Sequence, residues 1–199
     1  MTDGRLERAL EAIDRANAND PETIVVRGET RPKEQAHAEM MTEWVRRLDP
    51  HATDAQLLAA RAHHLRRWTL PRSSYPDGRA GYLRWRTALK KQHALDVAAI
   101  LEGEGYGQDV IERVQQIVRK DGLGRDAAVQ THEDALCLVF LETQLLELAD
   151  RLGDEKTVDV IRKTVAKMSE RGIDAALGLD LPSRSSALVT QALHTGEKP

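Results

Sequence analysis

The sequence predicts an all-α protein organised as a single domain, and three observations carry this. Apolar residues recur at spacings of three and four along most of the chain, no stretch alternates convincingly with period two, and 199 residues at 41% apolar content suffice for one sizeable core. The helical domain is expected over residues 1–182. A C-terminal helix and tail are expected over 183–199, frayed at the closing TGEKP.

The elements follow in order. MTDGRLERALEAID opens a charged amphipathic helix over 4–18, and TIVV at 23–26 is the one hint of a strand. A helix over 31–48 carries His37, Met41, Trp44 and Leu48 in one stripe, with Glu34 one turn before the histidine. A third helix, 53–68, has an apolar face of Leu57, Leu58, Leu65 and Trp68, and a fourth, 79–102, has the stripe Leu89, His93, Val97 and Ile100. Helices over 108–120, 128–151 and 154–169 complete the set; the second of these carries the line Asp134, Leu138, Leu141, Leu145, Leu148. Turn chemistry separates them: DP at 20–21 and 49–50, TLPRSSYPDG at 69–78, GEGYG at 103–107, KDGLGRD at 120–126 and LGDEK at 152–156.

Composition excludes several classes. No apolar run reaches membrane length and the N-terminus lacks the apolar centre of a signal peptide, so a cytoplasmic protein without a membrane partner is expected. The single cysteine, Cys137, lies in ALCLVFLE, which favours a buried inert thiol and excludes disulfides and zinc knuckles. An apolar stripe serves a core or a dimer interface equally well, leaving a homo-oligomer open.

Charge is uneven. Between Arg61 and Lys91 nine basic residues face one acid, Asp77, a local balance of +8 in a chain whose net charge is −3. Trp68, Tyr75, Tyr82 and Trp85 fall in the same window. Guanidinium groups beside aromatic rings suit phosphate or carboxylate, because the fork meets two oxygens while the rings wall the site; solvated helix faces explain the same stretch about equally well. A pI near 6.2 and the shortness of the patch disfavour nucleic acid.

At 100° per residue, His64 lies on the border of its helix's apolar face and His63 nearly opposite, so His64 is expected to face inward. His93 points into the core, and Asp134 heads an apolar stripe, which is costly unless a cation, a metal or a helix N-terminus meets it. One histidine on an apolar face is usually a hydrogen-bonded core residue. Four inward polar residues, His37, His64, His93 and Asp134, on four helices point instead to a metal, because helix bundles assemble metal sites from facing side chains.

The order His37, His63-His64, His93, Asp134 resembles the HD superfamily, a helical fold that binds one or two metals through H…HD…H…D. Histidine stands where that family has the aspartate of His-Asp, so the resemblance implies one metal or a non-catalytic derivative rather than a standard two-metal centre. The blocks LAARAHHLRRW, PRSSYPDGRAGYLRWRTALKKQH, VQTHEDALCLVFLE and IRKTVAKMSERG resemble, in order, a bacterial and plant family catalogued as a domain of unknown function. That resemblance places His64, His93, Glu133 and Asp134 in family blocks, while the first residue of the histidine pair is often glutamine and the His37 position is less uniform. Lys167-Met168-Ser169, followed by Glu170 and Arg171, is similar to the KMSKR loop of class I aminoacyl-tRNA synthetases, but nothing supplies the parallel-sheet fold to which that loop belongs. Lys163, Lys167 and Arg171, four apart, could instead form a second basic edge.

The expected function is therefore a metal-dependent hydrolase of a small anionic substrate. A divalent iron, manganese or zinc ion would be held by His64, His93 and Asp134 with His37, and Glu133 would act as general base. Arg72, Arg79, Arg84, Arg86 and Lys120 would hold the anion, walled by Tyr75, Tyr82 and Trp85. Two histidines and a carboxylate also suit an HD-like non-haem iron oxygenase, and a non-catalytic anion-binding module is the third reading.

Overall fold

The computed structural model describes residues 4–194, with the His194 side chain left out, so the TGEKP tail lies outside the described residues. Helices dominate, as the periodicity predicts. They are α1 (Arg5–Asn17), α2 (Lys33–Leu48), α3 (Asp54–Arg61), α4 (Gly78–Gly103), α5 (Gln108–Arg119), α6 (Ala127–Thr143), α7 (Leu145–Leu152), α8 (Asp154–Val165), α9 (Glu170–Leu177) and α10 (Ser183–His194). None is long and apolar enough to cross a membrane among the described residues.

TIVV is a strand, β1 (Thr23–Val26), paired antiparallel with β2 (Glu29–Pro32), which periodicity does not reveal because ETRP has no apolar alternation. Arg27 and Gly28 both take positive φ, the two-residue turn that matches strand twist. Arg31 forks onto Glu39 at 2.6 Å through both nitrogens and fastens the hairpin to α2. Asp20 completes the join: one carboxylate oxygen accepts from the Glu22 N–H at 3.0 Å and the other from the Glu34 N–H at 2.8 Å. The start of α2, and Glu34 with it, is thereby fixed.

Two apolar clusters form the interior, one around α1, α3, the second half of α4 and α5, the other around α2 and α6 to α10. Helix α3 belongs to both, offering Leu58 to the first and Leu57 to the second. Leu188, Val189 and Ala192 of α10 pack into the second cluster, so this C-terminal helix is part of the packed interior.

Three expected helices are shorter than predicted by more than two residues, and the one expected over 154–169 ends at Val165. Thr53 and Gln56 start α3 with a reciprocal capping box, but it ends at Arg61 rather than residue 68. Beyond it the N–H groups of His63, Leu65 and Arg67 bond to carbonyls three residues back, and Arg66 takes φ +52°, its own N–H held by Asn17 Oδ1 at 3.0 Å. The helix expected over 128–151 breaks at Gln144 into α6 and α7, next to Thr143, whose hydroxyl bonds back to the Val139 carbonyl at 2.7 Å.

Candidate functional site

The end of α3 decides how the histidine pair is presented. Because the chain leaves the α-helix before it, the angular argument fails, and His63, expected outward, is buried at 7% exposure. Its ring lies 3.7 Å from that of His64 between centroids, 5.4 Å from that of His132, and the His64 ring lies 5.9 Å from that of His93. Four imidazoles from three parts of the chain are thus in sequence. His93 is buried on α4 as its stripe predicts; its Nδ1–H donates to the Leu65 carbonyl at 2.8 Å, which leaves Nε2 with the lone pair, buried and unpartnered.

One subset has the donors and the proximity to hold a metal. Ligand atoms of Glu34, His37 and His64 all lie within 4.8 Å of one another. Glu34 and His37 are three apart on the first turns of α2, a spacing that projects both to one face. Glu34 Oε2 stands 3.0 Å from His64 Nδ1 and 3.7 Å from His37 Nδ1. Burial alone would raise the Glu34 carboxyl, but His64, His37 and Arg67 outweigh it and hold the group well below the usual carboxylate range. Burial pushes His64 down to about 3, against the pull of Glu34, so its imidazole is neutral at pH 7. The residues fit a cation: one carboxylate, two imidazoles, and a His37 Nε2 that is buried with no partner.

Arg67 sits beside this group. A guanidinium only donates, so its NH1, 2.9 Å from His64 Nε2, makes that nitrogen the acceptor and places the His64 proton on Nδ1, toward Glu34; to ligate a cation through Nδ1 the ring would have to move that proton to Nε2 and release Arg67. Arg67 also lies 5.0 Å from the Trp85 ring centroid, and the Trp85 indole N–H donates to the Leu70 carbonyl at 2.9 Å.

Two cavities meet here. One, of about 410 Å³, is lined by Glu34, His37, His64, Arg67 and Arg72 among others. The second, of about 350 Å³, carries Arg67, Arg86, Lys90, Lys120, Lys163 and Lys167 against a single carboxylate, Glu133. His64, Arg67, Trp85 and Gln144 line both. Glu133 is buried and paired with the Lys120 ammonium, with Lys167 at 4.0 Å on its other oxygen. Burial lowers the Lys120 pKa, and the Glu133 carboxylate opposes that. Cys137 lines the same cavity, buried, its thiol pushed up to about 12 by burial and by Glu133, as an inert residue should be.

The expected residues divide accordingly. His37 and His64 are together, and His93 is the next ring along. Asp134 is not with them and is corrected to a structural residue: fully buried, it accepts from the Ser169 N–H at 2.9 Å, the Ser169 hydroxyl at 2.5 Å and Gln130 at 3.0 Å, pinning the start of α9. A Cβ on Gly172 would stand 2.7 Å from its carboxyl carbon, so α9 approaches closely only because residue 172 is glycine. The cost of a carboxylate at the head of an apolar stripe is met here by a helix N-terminus, one of the three partners its position demanded.

Among the anion-binding candidates, Tyr82, Trp85, Arg86 and Lys120 line the cationic cavity. Arg72 lines the other, its guanidinium donating to the carbonyls of Tyr75 and Pro76 at 2.8 and 2.9 Å, which closes the 69–77 loop. Tyr75, Arg79 and Arg84 line neither cavity, and both arginines are exposed. Lys163 and Lys167 do form a second basic edge, while Arg171 does not reach the cavity. Glu34 is a candidate ligand the stripe argument passed over; its Glu-x-x-His spacing to His37 was the available signal.

The model of a family described as a domain of unknown function (DUF4202) matches residues 7–189, which takes in every element from α1 almost to the end of α10. The chain belongs to the DUF4202 family. Comparisons with curated proteins and with solved structures found no match. The family match spans both cavities and the Glu34, His37, His64 group, so the whole candidate site lies within the family's domain.

Proposed function

We propose that this protein is a metal-dependent hydrolase of a small anionic substrate. The observation that carries the reading is the junction of the two cavities: the group of buried Glu34, buried His37 and half-buried His64 shares His64 with the cation-rich cavity, whose lining Arg67 joins. A divalent ion held by these three side chains would lower the pKa of a bound water and polarise a phosphoryl oxygen. The chain's own residues do the rest. Arg67 holds the anion beside the metal ligands, Arg86 and the lysines draw it into the cavity, and Glu133, the one carboxylate on that wall, accepts a proton. The order of His37, His63-His64 and His93 supports an HD-like reading of the core, although Asp134 does not take the place of that pattern's last ligand.

Elemental analysis of protein purified without chelator or metal-affinity resin should find one divalent metal per chain, lost in Glu34→Gln and in His64→Ala. Metal-free protein whose stability a chelator leaves unchanged would overturn the reading. The donor set also favours a second one, since two imidazoles and a carboxylate suit iron that uses dioxygen. Substrate-dependent oxygen uptake with ferrous iron identifies the oxygenase, and phosphate release the hydrolase. A third outcome, stabilisation by an anion with no metal and no turnover, marks a binding module.

A further inference from the structure

We infer that the cation-lined cavity takes an organic ligand with two separate anionic groups, one at the Arg67 and His64 end and one at a lysine-rich end made by α4 and α8. This rests on the hydrolase reading only for which group is cleaved; binding is a property of the cavity.

Charge is the first argument. Lys120 has its partner in Glu133, and Arg67 faces His64 and Glu34. Among the described residues no carboxylate lies within ion-pair distance of Arg86, Lys90 or Lys163, and Lys167 has only a share of Glu133 at 4.0 Å. Arg86 and Lys90 are four apart on α4, so they rise from one face; Lys163 is on α8 and Lys167 just beyond its end. Burial and then the Arg86 charge lower the Lys90 pKa, Glu133 and Asp121 oppose that, and Lys167 adds a smaller lowering. Like charges gathered around one cavity repel one another, and an anion among them offsets that repulsion.

The walls are the second argument. The rest of the lining includes Leu89, Val118, Leu136, Phe140 and Val160, with Trp85 beside Arg67. Such a lining does not suit a bare inorganic anion or a continuous polyphosphate chain, whose every unit is charged. It suits an apolar or planar body. The volume of about 350 Å³ is at the lower end for small-molecule sites, which limits that body to roughly one ring.

The probes are phenyl phosphate and 4-carboxyphenyl phosphate, which share body and phosphoryl group and differ in the second anion. Calorimetry on the protein as purified should give about tenfold tighter binding of the carboxylated compound, the scale of one charge-assisted contact. In the double variant Lys163→Ala/Lys167→Ala the ratio should fall to about one; both side chains are exposed, so folding is not at stake. In Arg79→Ala/Arg84→Ala, outside both cavities, the ratio should stay near ten. Equal affinities in the unmodified protein, no binding of either compound, or a ratio that survives the lysine substitutions overturns the inference. Phosphate release is followed separately. A preserved ratio without release under any of the three metals defeats the hydrolase reading alone, and release with equal affinities defeats the two-anion inference alone.

Discussion

Replacing Asp134 separates structure from metal chemistry. Its carboxylate is fully buried and accepts three hydrogen bonds, from Gln130 and from the N–H and hydroxyl of Ser169. Asp134→Ala strips all three and leaves the half-buried Ser169 N–H without that partner; about 1–3 kcal/mol for each lost bond, with partial relaxation, gives a loss of about 3–5 kcal/mol. For a chain of this size that corresponds to a fall of roughly 10 °C in thermal midpoint. Asp134→Asn keeps the shape and one acceptor oxygen and should cost about 1–2 kcal/mol. Circular dichroism melts and metal content per folded chain are measured on the same samples. Both variants should lose stability and keep their metal, because neither touches Glu34, His37 or His64. An Asp134→Asn protein with an unchanged midpoint and no metal would refute the capping assignment and return Asp134 to the ligand set.

Four further outcomes are expected. Glu34→Gln should weaken metal binding by more than about 100-fold in chelator competition, since changes outside the ligand set alone cost 10–100-fold. Burial pushes His132 down to about 3, with Lys120 and His64 adding to it, so between pH 6.5 and 3 the unfolded chain binds the extra proton: stability is full above 6.5 and lost as pH falls through that window. At pH 5 the loss is about 2 kcal/mol, and urea titrations of His132→Leu at pH 7.5 and 5 should show a pH dependence smaller by that amount. Asn17→Ala removes the acceptor that holds the left-handed Arg66 and should cost about 1–3 kcal/mol while reducing metal affinity, because His63 and His64 are presented by that turn. Cys137 should be unreactive toward a disulfide reagent at pH 8 until the chain unfolds, its thiol being buried and far above its ordinary pKa.

The helices, and part of a side-chain group that could hold a metal ion, were legible in the chain because both rest on local rules. Apolar residues three and four apart must share a face, so Met41, Leu89, Val97 and Leu138 are interior residues in sequence and in structure alike. The same rule places His37 and His93 inward and makes the Glu34 to His37 spacing a ligand signal. It fails where a distant residue intervenes. Helix α3 ends at Arg61; Asn17, 49 positions before Arg66, accepts the Arg66 N–H in the turn that follows, and with the helix ended the assignment of one histidine inward and one outward is lost. Asp134 was recognised as a carboxylate that needed a partner, but which partner depended on Ser169, 35 positions on. The basic stretch from Arg61 to Lys91 likewise read as one anion site, whereas folding sends Arg79 and Arg84 to solvent, uses Arg72 to close a loop and brings Lys120, Lys163 and Lys167 in from elsewhere. Periodicity assigns a residue to a face; only the packing of one helix against another decides what that face meets, because the partner's identity is not a property of the segment that carries the pattern.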